Sequence, residues 1–121
     1  MSKSAAVPHV LFVDDSEVMR EVWPLLLRQL GFDVEVAEGG VTALDLARLR
    51  TPDIIVTDMM MPGMTGIDLY HVLRADSALM AVPVLFLTSG MFPPDRPQKD
   101  SWLGKDVAPE DLAKRIRSLL G

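Results

Sequence analysis

Ile54-Ile55-Val56-Thr57 is an unbroken β-branched run that ends on a carboxylate, Asp58. No polar residue alternates through it, so it predicts a strand buried on both faces, the ordinary state of a strand inside a parallel sheet. The next residues, Met59-Met60-Met61-Pro62-Gly63-Met64-Thr65-Gly66, carry the proline and glycines of a loop before another helical pattern. Asp58 is thereby expected at the carboxyl end of a central strand, where open α/β sheets form their ligand crevice. Taken alone, an aspartate there is more often a turn residue than a reactive group. The rest of the chain changes that balance.

Strands alternate with helices on either side of this run. Val10 to Val13 is a short apolar strand ending in Asp14-Asp15, and a helical pattern starts at Ser16. Met19, Val22, Trp23, Leu26, Leu27 and Leu30 recur at spacings of three and four, the inward stripe of a helix that Gly31 stops. Phe32, Val34 and Val36 alternate with Asp33 and Glu35, which predicts a half-exposed strand near a sheet edge. Gly39-Gly40 turns the chain into a helix carrying Ala43, Leu44, Ala47 and Leu49, which must end before Pro52. After the central strand a helix spans residues 66–74, with Ile67, Leu69, Tyr70 and Leu73. Residues 83–87 form a fourth strand and 101–104 a short fifth. Pro109, Glu110 and Asp111 open a last helix with Leu112, Ile116, Leu119 and Leu120 facing inward. This alternation implies a parallel sheet covered on both faces.

Composition narrows the function. A chain of 121 residues, 49% hydrophobic and 24% charged, reads as one soluble domain with a real core. A net charge of −5 speaks against nucleic acid, which calls for a basic face. The absence of cysteine removes disulfides, thiol catalysis and cysteine-based zinc sites, and fits a reducing compartment. MSKSAAVPHV lacks the pattern of a signal peptide, and no apolar stretch approaches the about 18 residues of a membrane span. A cytoplasmic protein is expected.

The polar residues then fall into one set. Asp14 and Asp15 follow the first strand, Asp58 ends the third, Thr88 and Ser89 end the fourth, and Lys105 follows the fifth. All belong to the same edge of a parallel sheet. Carboxylates gathered there repel one another unless a cation lies among them, and oxygen ligands favour a hard ion such as Mg²⁺. A lysine and a hydroxyl facing that ion complete a cradle for a phosphoryl group, whose transfer depends mainly on positioning and charge stabilisation. Asp58 has the chemistry of a carboxylate nucleophile that carries the phosphoryl as an acyl phosphate.

With these residues placed, the sequence resembles the receiver domain of two-component response regulators. The resemblance runs from Val10 to Leu120 and rests on LFVDDS, on Gly40-x-x-Ala43-Leu44, and above all on PDIIVTDMMMPGMTGIDL. In that last run Met61-Pro62, Met64 and Gly66 stand in register with the family's acceptor signature. The resemblance implies a flavodoxin-like, doubly wound sheet of five parallel strands in the order 2-1-3-4-5, with helices on both faces. Residues 1–121 would form one receiver domain, with its core at about 8–120 and no output domain. It further implies Asp58 as phosphoacceptor and direct Mg²⁺ ligand, with Asp15 and the Met60 backbone carbonyl as further ligands and Asp14 holding the ion through water. Thr88 and Lys105 would hold the phosphoryl oxygens, and Thr88 with Trp102 would form the switch. The implied donor is a histidine kinase or histidine phosphotransfer protein, and the receiver would be a monomer that is no enzyme beyond its own phosphorylation and dephosphorylation.

Two departures from the family pattern stand out. Lys105 precedes Asp106 where the family has proline, and a non-proline cis bond costs about 2.5–4 kcal/mol, so a trans peptide is expected. Pro93, Pro94 and Pro97 crowd the segment where the family's fourth helix belongs. A proline inside a helix costs about 3 kcal/mol, so that helix is expected to be missing or cut to one turn.

Other features carry less. Four methionines between Met59 and Met64, with no His or Cys beside them, read as packing and loop anchors and not as a soft-metal site. His9 and His71 read as surface or strand-flank residues. Lys114, Arg115 and Arg117 suit the dipole of the last helix. In the first helix Val18 and Leu25 fall outside the inward stripe, on a helix beside which the family docks its phosphodonor. A haloacid-dehalogenase-type phosphatase would need a second aspartate where Met60 stands, and a cap for which the chain has no room. A docking module that signals without phosphorylation is the remaining alternative, favoured by the altered fourth-helix segment and opposed by the intact acid pair, Thr88 and Lys105.

Overall fold

The computed structural model describes residues 7–121. Strands His9–Val13 (β1), Asp33–Ala37 (β2), Ile54–Thr57 (β3), Val84–Thr88 (β4) and Trp102–Gly104 (β5) form one parallel sheet in the order β2-β1-β3-β4-β5. The helices are Glu17–Gln29 (α1), Gly40–Leu49 (α2), Gly66–Ala75 (α3) and Pro109–Leu120 (α4). Alternation within β3 divides the core. Ile55 faces Leu44, Leu69 and Leu73 of α2 and α3, whereas Ile54 and Val56 face Trp23, Leu27 and Ile116 of α1 and α4. All four β3 residues are buried, as the apolar run requires. The chain leaves β1 toward β2 on one side and returns to β3 on the other. The crevice at that change of direction lies at the carboxyl ends of β1 and β3.

Local signals fix the helix starts beside that edge. The Ser16 hydroxyl accepts from the Met19 amide at 3.3 Å and caps α1. Thr65 and Asp68 exchange reciprocal side-chain and backbone bonds at 3.1 and 3.0 Å, a capping box that ends the β3–α3 loop. Pro109 occupies the first turn of α4. Gly31, at φ +101°, makes the left-handed turn that leads out of α1.

Several expectations need correction. Val22 is 44% and Leu49 84% exposed. Trp23 and Leu27 take the sheet-facing positions of α1, so Val22 falls past the stripe's margin, and Leu49 ends α2 beyond its buried alanines. On β2 it is Val34 and Ala37 that are buried, one on each face, because α1 and α2 both reach this edge strand and leave Val36 partly exposed. His9 is no flanking surface residue. It is buried in β1, with Nδ1 2.8 Å from Asp33 Oδ2 and Nε2 3.5 Å from Glu35 Oε1, both on the neighbouring strand. Arg115 and Arg117 do more than face the helix dipole: they donate to the carbonyls of Asp100 and Leu30 at 2.6 and 2.7 Å.

No helix lies between β4 and β5 among the described residues. The Arg96 amide bonds the Pro93 carbonyl at 3.2 Å in a single turn, and the Ser101 amide bonds the Gln98 carbonyl at 2.8 Å. Gln98 holds φ at +50°, donates from Nε2 to the Val84 carbonyl, and accepts from Arg74 Nη2, both at 2.9 Å. Arg74 Nη1 also donates to the Val82 carbonyl at 2.9 Å. Beneath this segment Trp102 stacks on Phe86, with centroids 4.2 Å apart and planes 14° apart, and its indole N–H donates to the Pro97 carbonyl at 2.7 Å. Phe92 closes over Trp102 at 5.6 Å. No peptide bond among the described residues is cis, so Lys105–Asp106 is trans.

Candidate functional site

Asp14 and Asp15 leave the end of β1 and Asp58 the end of β3, so register alone brings them together. One carboxylate oxygen of each lies within 4.8 Å of the others. Asp14 is 1% and Asp58 6% exposed, while Asp15 faces solvent. The Asp14 amide bonds the Ala37 carbonyl at 3.1 Å and the Asp58 amide the Val13 carbonyl at 2.9 Å, continuing the sheet's hydrogen bonding past its assigned ends. Asp14 Oδ1 accepts from the Ser16 amide at 2.9 Å, and Arg20 Nη1 donates to the Asp14 carbonyl at 2.9 Å.

Lys105 closes the group from β5. Its Nζ lies 2.8 Å from Asp14 Oδ2 and 3.2 Å from Asp58 Oδ2. Burial alone would lower the lysine pKa, but the bonds and charges of Asp14 and Asp58 outweigh it and raise the value above that of an ordinary lysine. Lys105 is therefore a fixed cation. Three carboxylates against one ammonium leave two negative charges in a largely buried space, with oxygen as the available ligand atom. The set suits a hard divalent cation.

The β3–α3 loop is folded tightly onto Asp58. A Cβ on Gly66 would lie 2.2 Å from the Asp58 carbonyl oxygen, and the Gly66 amide bonds the Met59 carbonyl at 2.8 Å. Only glycine permits that approach. The Met60 amide faces Asp58 Oδ1 at 3.4 Å, and its side chain, 64% exposed, lies on the rim.

Residues 10–117 match the response regulator receiver domain. The chain belongs to this family. It is 37% identical over 116 residues to the DNA-binding response regulator MtrA of Mycobacterium tuberculosis, an alignment covering 92% of this chain and 50% of that protein. The receiver thus spans about half the length of the first curated relatives it matches. Over 81 residues it is 47% identical to the chemotaxis protein CheY of Pseudomonas aeruginosa, covering 66% of this chain and 65% of that one. Among solved structures, chemotaxis protein CheY4 of Vibrio cholerae superposes with a TM-score of 0.85 at 33% identity, covering 94% of this chain and 99% of that one.

Within the receiver, Asp14, Asp15, Asp58 and Lys105 converge as the sequence suggested. Thr88 is buried at the end of β4 and tied to Lys105 through its carbonyl, which accepts the Lys105 amide at 3.1 Å. Its hydroxyl is turned to the Ser89 carbonyl at 3.4 Å and makes no bond to Asp58. Trp102 lies outside the pocket. It is paired with Phe86, two residues before Thr88, and packs into the α2–α3 face. Sequence reasoning missed Arg20 and the Ser16 amide, which hold the Asp14 turn. A cation one turn into the helix after an acid pair was the available signal.

Proposed function

We propose that this receiver accepts a phosphoryl group on Asp58 from the phosphohistidine of a histidine kinase or phosphotransfer protein, and signals through altered protein contacts as a cytoplasmic monomer. What carries the reading is the convergence of three carboxylates and Lys105 at the switch point of the sheet. Asp14, Asp15, Asp58 and the Met60 carbonyl would hold Mg²⁺, which when bound neutralises the carboxylates and the incoming phosphoryl oxygens. An Asp58 oxygen attacks phosphorus, the new O–P bond forms as the P–N bond breaks, and the electron pair returns to the imidazole nitrogen. Lys105 Nζ, already against Asp58 Oδ2, then pairs with a phosphoryl oxygen, and the Met60 amide lies beside the same carboxylate. Thr88 completes the cradle when its hydroxyl leaves the Ser89 carbonyl, which draws the start of the β4–β5 segment toward the pocket and biases a minor conformation. The receiver turns over no separate substrate.

Val18, Val22 and Leu25 are exposed on α1 at spacings of four and three, beside the Asp14 turn. Such a strip suits a donor helix laid alongside α1. The DNA binding in MtrA's name belongs to that protein. For this acidic chain the reading is a protein partner.

Incubation with Mg²⁺ and a small acyl phosphate, followed by intact mass measurement, tests the reading. Wild type gains one phosphoryl group and Asp58→Asn gains none. Equal labelling of the variant removes the assignment of Asp58, and no labelling of wild type by this donor or by a phosphohistidine donor favours a module that docks without phosphorylation.

A further inference from the structure

Gly40 is the first residue of α2, and its backbone has no positive φ that would call for glycine. Glycine loses more conformational freedom on folding than alanine does, and nothing in this backbone requires it, so glycine here answers to packing. The neighbour responsible is Met64. A Cβ built on Gly40 would lie 2.4 Å from Met64 Sδ, 2.8 Å from its Cγ and 3.0 Å from its Cβ. The thioether therefore fills the notch left by the missing methyl group.

The notch lies beside the acid pocket. Met64 and Gly40 line a cleft of about 600 Å³ together with Asp15, Arg20, Pro62 and Gly63. Met64 also stands in the loop that leaves Asp58 and ends at the Thr65 cap of α3. Gly66, just past the far end of that loop, packs on the Asp58 carbonyl where it begins, and Met61 is buried in the core. Between these anchors runs Met60, whose amide lies 3.4 Å from Asp58 Oδ1, close to the outer limit of an N–H···O bond. At that distance a displacement of a few tenths of an ångström takes the pair beyond hydrogen-bond reach.

We infer that Met64 and Gly40 are a positioning pair: the Met64 side chain, seated in the Gly40 notch, ties the β3–α3 loop to α2 and thereby sets the Met60 backbone against Asp58. The consequence for metal affinity rests on the proposed function, whereas the position of the Met60 amide does not.

Gly40→Ala, Met64→Ala and the double variant provide the test. The measurements are Mg²⁺ affinity by calorimetry, the Met60 amide resonance of the metal-free protein by NMR, and the melting temperature. Gly40→Ala pushes Met64 out, shifts the Met60 amide, and weakens Mg²⁺ binding about tenfold, the lower end of what losing support behind a metal ligand costs. Met64→Ala weakens it less. The double variant recovers most of the Gly40→Ala loss, because the added methyl group enters space that Met64 Sδ and Cγ have vacated and meets only the Cβ that alanine keeps, at about 3.0 Å. A role confined to stability would lower the melting temperature and leave affinity and the Met60 resonance unchanged, which overturns the proposal. Strictly additive losses overturn it as well. Should Gly40→Ala fail to fold, the double variant decides: recovered folding supports the pair, and a double variant no better folded than Gly40→Ala overturns it. Wild type that binds no Mg²⁺ defeats the functional reading alone, and the Met60 resonances still judge the pair.

Discussion

The edge around Asp58 and the segment between β4 and β5 are built on opposite plans. At the first, backbone register sets the geometry: Asp14 and Asp58 continue the hydrogen bonding of β1 and β3, and Lys105 reaches both from β5. At the second, the missing helix takes its backbone bonds with it, and side chains replace them. Gln98 and Arg74 donate to carbonyls of β4 and of the turn before it, and the Trp102 indole holds the Pro97 carbonyl. The covering layer of a doubly wound sheet can thus change from helix to stapled loop without moving the chemistry, because the backbone bond between Thr88 and Lys105 keeps the end of β4 and the lysine in place. The reading predicts that damage to the loop costs stability and leaves phosphorylation intact.

The largest expected effect is at Trp102. Its ring is buried against Phe86 and Phe92, and truncating such a residue costs about 3–5 kcal/mol. Trp102→Ala is expected to lose that much in urea denaturation, yet to label on Asp58 like wild type wherever it remains folded. Loss of labelling in the folded variant would show that the two regions are one.

Sizing by light scattering sharpens the same point. Oligomerisation through the face beside β5 would need a wall that a helix no longer supplies. The mass in solution is therefore expected to be that of a monomer before and after phosphorylation, and a phosphorylation-dependent dimer would refute this.

A smaller effect is expected at Gln98. Relief of its left-handed backbone in Gln98→Gly is worth about 1–2 kcal/mol. Against that stand two lost side-chain hydrogen bonds of about 1 kcal/mol each and the added freedom of glycine in the unfolded chain. The balance is a net loss of about 1 kcal/mol, read from denaturation midpoints. A more stable variant would show that the staple is strain and not support.

What was legible in the sequence follows the same division. Strand ends show in residue type, so the β-branched run before Asp58 and the acid pair after Val13 located the pocket, and Pro93, Pro94 and Pro97 limited any helix there to about one turn on backbone grounds alone. Contacts that depend on register were not legible. His9 meets Asp33 only because β1 pairs with β2 at that offset. Arg74 finds Gln98 only because the loop folds back over β4. Likewise, the inward stripe of α1 was read one residue too wide at Val22, because periodicity gives a face and not its margin.

The smallest expected effect lies at the far edge of the sheet, where His9 offers a control for both regions. The hydrogen bond from His9 is the main influence on Asp33, and with Arg50 it outweighs the opposing effect of burial to hold the Asp33 carboxyl below the usual aspartate range. A carboxyl whose pKa is lower folded than unfolded stabilises the fold above the unfolded pKa, and that contribution disappears as pH falls through the folded value. His9→Gln removes the larger cause. In that variant Asp33 is expected to titrate nearer its ordinary value when followed by NMR, and the part of the acid-side loss of stability that comes from Asp33 to shrink, because the gap between its unfolded and folded pKa closes. The gain at neutral pH is small, since Asp33 is half exposed and its ion pairs are screened by solvent. Because this edge lies a full strand length from Asp58, labelling at neutral pH should be unchanged. An unshifted Asp33 titration would show that the His9 contact exerts no electrostatic hold on it.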